Sequence, residues 1–256
     1  MEGLYIVVGI ISGIASGMFG LGGGTIIVPM MLSLGFSVHQ AVGISVLQMI
    51  FASLFGSIIN YKKRLLSLKD GVLLGIGGVI GASFSGKVLQ ILSETKLTFI
   101  FLLLMCLSFY NFLNKKNGNT EQKTIKTTKT YYVSVLIFTG MITGIFSVSL
   151  GVGGGLLMMP ILMHFLGFDT KKISVLSLFF IICSSISGAL SLFQHQIIDF
   201  NILYVGLFVG VSAMIGVSIG IFLVQKITLS LHKRVLSCIY VFAISLTTYH
   251  LLERLI

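Results

Sequence analysis

Long apolar runs alternate with short polar ones along the whole chain. No Asp, Glu, Lys or Arg occurs from Gly3 to Tyr61 or from Thr130 to Phe168. The same holds for Leu97–Asn114, Ile173–Ile198, Phe200–Gln225 and Val235–Leu252. A helix that crosses a bilayer needs roughly 20 apolar residues. The pattern therefore predicts an all-α polytopic membrane protein with about six to eight crossings and no soluble domain.

The pattern also repeats. Gly20-Leu21-Gly22-Gly23-Gly24 is followed by Pro29, and Gly151-Val152-Gly153-Gly154-Gly155 by Pro160. Gly9/Gly140, Ser12/Thr143, Gly13/Gly144 and Ser16/Ser147 keep the same spacing. One residue further on, Ser45/Ser177, Ser53/Ser185 and Gly56/Gly188 correspond. The chain reads as two homologous four-segment halves, a first membrane repeat over 1–114 and a second over 131–256. A polar linker, 115–130, joins them and carries Lys115, Lys116, Lys123, Lys126 and Lys129.

Composition fits this reading. Residues of the hydrophobic type make up 55% of the chain and charged ones 9%, against about 25% charged in soluble domains. The formal net charge is +10. It sits in short clusters, as in membrane proteins that mark their cytoplasmic loops, so no nucleic-acid partner is expected. Met1-Glu2-Gly3-Leu4 has no basic region of a signal peptide. Cys106, Cys183 and Cys238 lie singly in apolar segments, with no C-x-x-C.

The first segment of each half, Leu4–Leu34 or Tyr131–Leu166, exceeds 30 residues and is broken by glycines. Two topologies follow. Eight plain crossings would make parallel repeats. A re-entrant Gly-rich hairpin in each half would leave three crossings per half and make inverted repeats. Basic residues favour the cytoplasmic face. Eight crossings divide the 17 basic residues 10 to 7, whereas the hairpin topology divides them 14 to 3. Thr25–Leu34 would also form about 15 Å of helix, half of a core of roughly 30 Å. The inverted-hairpin topology is favoured, with both termini outside. The linker 115–130 is cytoplasmic in either topology, in a multi-pass protein of the plasma (inner) membrane.

Irregular backbone at membrane depth is tolerated where it lines a cavity or is buried in protein. Paired interruptions in the two halves point to a transporter's binding site. Successive glycine amides can form a concave anion nest, and helices starting near Thr25 and Leu156 would aim positive dipole ends at it. The candidate substrate-binding set is Ser16, Gly20, Gly22, Gly23, Gly24, Thr25, Ser45, Gln48, Ser147, Gly151, Gly153, Gly154, Gly155 and Ser177, with Ser149 as a further hydroxyl. Close helix packing would produce the same glycines and the small-residue stripe of Ser45 and Ser177. The Gln48 amide could donate to an oxyanion or bond a neighbouring helix. No Ser–His pair, paired carboxylates or His/Cys spacing suggests catalysis, a metal or a cofactor, so none is expected.

These motifs resemble the TauE/SafE family, the sulfite exporters. The resemblance rests on Gly13-x-x-Ser16-Gly17-x-x-Gly20-x-Gly22-Gly23-Gly24-x-x-x-x-Pro29 and Ala41-x-Gly43-x-Ser45. It rests equally on Gly144-x-x-Ser147-x-x-x-Gly151-x-Gly153-Gly154-Gly155-x-x-x-x-Pro160, where Val148 departs from Gly17. It implies a secondary transporter, often an exporter, of a small sulfur-containing or organic anion of the sulfite or sulfonate class. The two halves are expected to rock around the paired hairpins. An anion channel or an accessory membrane scaffold is the alternative, and an intramembrane enzyme the remotest.

Overall fold

The structure, a computed structural model, describes residues 2–20, 22–114, 128–168, 170–226 and 229–253. Most of the predicted linker, 115–127, lies outside the described residues. Eleven helices and no strand occur among those that are described. The first half holds α1 (Glu2–Phe19), α2 (Gly24–Ser33), α3 (Val38–Lys62), α4 (Leu68–Ser83), α5 (Ser85–Ile91) and α6 (Glu94–Asn114). The second holds α7 (Lys129–Ser149), α8 (Gly155–Leu166), α9 (Thr170–Gln194), α10 (Phe200–Lys226) and α11 (Leu229–Glu253). The stretches Glu2–Phe19, Val38–Lys62, Leu68–Ile91, Lys129–Ser149, Lys172–Gln194 and Phe200–Val224 are long and apolar enough to cross a bilayer. Gly24–Ser33 and Leu157–Leu166 are apolar but too short.

Local chemistry sets the helix ends. Ser37 and Gln40 form a capping box at the start of α3. The Ser37 hydroxyl accepts from the Gln40 amide at 3.3 Å, and the Gln40 side chain accepts from the Ser37 amide at 3.0 Å. Asp199 caps α10 by accepting from the Ile202 amide at 2.8 Å. α1 and α7 each end on a left-handed glycine, Gly20 (φ 66°) and Gly151 (φ 64°).

Glycine contacts fix the relative directions of the long helices. Along α1, Gly9 faces Val209 and Ser212, Gly13 faces Ala213, and Gly17 faces Val217 and Ile221. Residue numbers rise together, so α1 and α10 run the same way. Along α3, Gly43 faces Ile202, Leu47 packs on Gly206, Phe51 on Gly210, and Gly56 on Val217. Thus α3 also runs with α10. The same holds in the other register: Gly140 and Gly144 of α7 meet Leu74 and Gly78 of α4, while Gly71 and Gly75 of α4 meet Phe179 and Cys183 of α9.

Two trios result, α1/α3/α10 and α4/α7/α9, each with helices from both halves. Their directions are opposite. A cleft of about 720 Å³ at one end collects His39 and Gln40 from the start of α3, Ile202 from the start of α10, and Leu89–Glu94 from the end of α5. At the other end the starts of α4, α7 and α9 meet. Asp70 accepts from the Tyr132 hydroxyl at 2.6 Å and pairs with Lys172 at 3.0 Å. Exchanging the two halves maps one trio onto the other, so the repeats interleave.

The outward faces are apolar. Val72, Ile76, Val79, Phe138, Leu207, Val211, Ile215 and Phe222 are all exposed. The interior instead holds glycine seams and buried hydroxyls such as Ser16, Ser53, Thr143 and Ser185. A water-soluble protein would hide that hydrocarbon. A lipid-embedded one gains close helix approach from small residues at its interfaces.

Candidate functional site

The chain path around each glycine loop follows from those directions. α2 runs against α3: Gly24 lies beside Ser45, and Val28 and Leu32 line one small cavity with Val42 and Val38. Because α1 runs with α3, α1 and α2 are the two arms of a hairpin whose tip is Gly20–Gly24. The second half builds the same hairpin from α7 and α8, with its tip at Gly151–Gly155.

The two tips meet in the interior. A Cβ on Gly22 would lie 2.9 Å from the Cα of Gly153. A Cβ on Gly24 would collide with the Gly151 carbonyl, and one on Gly155 with the Gly20 carbonyl. This approach requires glycine at both positions. Reciprocal bonds hold the tips together. The Ser45 hydroxyl donates to the Gly151 carbonyl at 2.6 Å, and the Ser177 hydroxyl donates to the Gly20 carbonyl at 2.8 Å. Each third helix therefore grips the loop of the other half. Ser174, which sequence reasoning missed, adds a bond to the Phe19 carbonyl at 3.1 Å.

The loops leave amides unspent. Gly20 donates to the Ser16 carbonyl at 2.8 Å and Val152 to the Ser147 carbonyl at 2.9 Å. The amides of Gly22, Gly23, Gly24 and Thr25 donate to no backbone carbonyl among the described residues. Neither do those of Gly153, Gly154 and Gly155. Such free amides at a helix start favour an anion.

All fourteen candidate residues are buried, but they serve differently. Ser45 and Ser177 have given their protons to carbonyls. Ser16, Thr25 and Ser147 are buried with no partner for their hydroxyls, as are Thr143 and Ser149. Ser149 instead lines the small cavity between α2, α3, α6 and α11, about 10 Å³ and room for roughly one water. Gln48 is fully buried, and neither its Nε2 nor its Oε1 has a partner. It lies against Gly23, where a Cβ would sit 2.9 Å from Nε2 and 3.1 Å from Oε1. Leaving an amide so buried and unpaired costs about 1–3 kcal/mol per group.

The tips are not equivalent. The residue in the Gln48 position of the second half is Phe180, fully buried, with its ring 2.5 Å from where a Gly154 Cβ would stand. Gly23 is left-handed (φ 80°), whereas Gly154 is right-handed (φ −71°). Sequence reasoning overlooked Phe180, although the repeat spacing already pairs it with Gln48. No group of three or more metal-ligating side chains occurs among the described residues.

A helical membrane architecture with paired, glycine-tipped interior loops defines a class, the polytopic membrane transporters. The family model described as "Sulfite exporter TauE/SafE" matches residues 5–247, and the chain belongs to that family. It is 30% identical over 209 residues to the "Probable membrane transporter protein YunE" of Bacillus subtilis (strain 168), covering 73% of this chain and 77% of that protein. It is 25% identical to the "Probable membrane transporter protein YdhB" of the same organism, covering 91% and 93%. An archaeal relative, the "Probable membrane transporter protein MJ0441" of Methanocaldococcus jannaschii, is 27% identical over 73% of this chain and 71% of its own length. No solved structure matches this chain.

Proposed function

We propose that this protein is a secondary transporter that exports a small anion of the sulfite or sulfonate class across the plasma membrane. The observation that carries this reading is the meeting of two hairpin tips at which the amides of Gly22–Thr25 and Gly153–Gly155 donate to no backbone carbonyl among the described residues, beside the unpartnered Gln48. Those donors suit oxygen anions, since no acidic side chain lies in either loop.

The inverted-repeat topology belongs to the same proposal. α1 and α3 running together supports a first hairpin that enters and leaves on the face of the N-terminus. α7 and α9 running together supports a second that does so on the opposite face. Lys62, Lys63, Arg64, Lys69, Lys172 and Lys226 then share the linker's face, taken as cytoplasmic. The interleaving changes the moving parts. The bodies that rock are the trios α1/α3/α10 and α4/α7/α9, each drawn from both halves, with the joined tips between them.

Proteoliposome flux with labelled sulfite, thiosulfate, alkanesulfonates and hydroxyalkanesulfonates tests this. Saturable flux of at least one of them is expected, lost in Gly23→Val at retained expression. Absence of flux for all of these anions would sink the proposal.

A further inference from the structure

The first tip holds an unusual demand. Gln48 presents an N–H donor and a carbonyl acceptor side by side, both fully buried and both unpartnered, against the left-handed Gly23 at the start of the ten-residue α2. Ser16 and Thr25 are buried nearby in sequence and make no hydrogen bond to it. A bare oxyanion offers acceptors only. It would satisfy Nε2 and the amides of Gly22–Thr25, but it would leave Oε1 facing negative oxygen. Exchanging the amide's N and O leaves the demand the same.

We infer that the first hairpin tip binds a single small anion that brings a hydrogen-bond donor of its own, and that Gln48 reads both ends of it. This rests on the anion-transport reading above and narrows its substrate class. The anionic oxygens lie on the α2 amides and Nε2, while a hydroxyl or ammonium hydrogen a few atoms away donates to Oε1. The second tip takes no anion, because the Phe180 ring stands where Gln48 stands in the first and covers Gly154 with hydrocarbon. The pseudo-symmetric pair is thus one binding loop and one structural loop.

Calorimetry on the purified full-length protein in detergent tests this with 2-hydroxyethanesulfonate and ethanesulfonate. The two probes share their charge and carbon skeleton and differ by one hydroxyl. The hydroxylated probe is expected to bind with one site per chain and at least tenfold more tightly, because a buried polar group discriminates strongly against a ligand that cannot pair with it. In Gln48→Met the preference falls to about threefold or less, and a thermal unfolding curve at or above the wild-type midpoint shows that the fold survives. Equal affinities in the wild type, or a preference that persists in Gln48→Met, would overturn the donor requirement while leaving an anion site in place. Two sites per chain would overturn the asymmetry of the tips. Binding of neither probe would overturn this inference, and the anion reading beneath it then stands or falls separately on the flux of sulfite and thiosulfate.

Discussion

Ser45 and Ser177 do opposite halves of one task. Each donates its proton to a carbonyl of the loop from the other repeat, 2.6 Å to Gly151 and 2.8 Å to Gly20. Either hydroxyl could as well have faced an anion, and the residue type is the same in both cases. What separates the roles is the partner across the interface, 106 residues away for Ser45. Removing it leaves a buried carbonyl unpaired, worth about 1–3 kcal/mol. Glycine at the tip is governed by space. Gly24→Ala drives a methyl into the Gly151 carbonyl and should cost about 3 kcal/mol or more. Gly35 is also left-handed (φ 87°) but has nothing near its missing Cβ. Gly35→Ala should therefore cost only the backbone strain, roughly 1–2 kcal/mol. Unfolding midpoints of the two variants in detergent check the difference, and a larger loss at Gly35 would contradict it.

Among the elements, the glycine seams do the packing. Gly13 and Gly17 of α1 lie on the backbones of Ala213 and Val217, and Gly216 and Gly220 of α10 lie on Ile10 and Ile14. The same contact recurs where Gly140 and Gly144 of α7 meet α4. Lipid tails are as apolar as leucine, so two helices gain little by hiding hydrocarbon and associate through close contact. Gly13→Leu should separate α1 from α10 and abolish stable expression. Gly3→Leu, with nothing within reach of a Cβ, should leave it unchanged. Fluorescence-detected gel filtration of tagged variants reads both. The short α2 and α8 obey a different logic. Ten and twelve residues span about 15 and 18 Å, so each reaches only part of the way through a bilayer core.

At the scale of the whole molecule the repeats share every layer. The first helix of each half lies on the fourth of the other, and α3 meets α9 between the trios. Neither half alone can cover its seams. Residues 1–114 and 131–256 expressed separately should be degraded, and co-expressed they should copurify and restore flux. Stable, active single halves would contradict the interleaving. The proposed inverted topology makes a second whole-molecule prediction. With native cysteines replaced, Gly3→Cys should react with a membrane-impermeant maleimide added to intact cells, and Gly118→Cys should react only after the membrane is opened. Protection of both cysteines until the membrane is opened would favour eight plain crossings.

Particular residues mark how far sequence reading reaches. The apolar runs and the doubled Gly-x-Gly-Gly-Gly with its proline are local in the chain, so they carried the membrane class, the repeat and the position of the loops. Charge placement added the preferred topology, because the 17 basic residues respond to the membrane's two sides wherever they fall in the chain. The roles of Ser45, Ser177 and Gln48 were not readable in this way. A hydroxyl or an amide shows its function only through what faces it, and for the two serines that is a loop carbonyl of the other repeat, up to 157 residues distant. The same holds for Phe180, whose ring is an ordinary core residue until it is found over Gly154. Period and composition are sums over neighbours in the chain and settle what the protein is made of. The difference between a tip that holds a polar side chain and one that is sealed by a ring is a matter of long-range contact, and only the packed helices decide it.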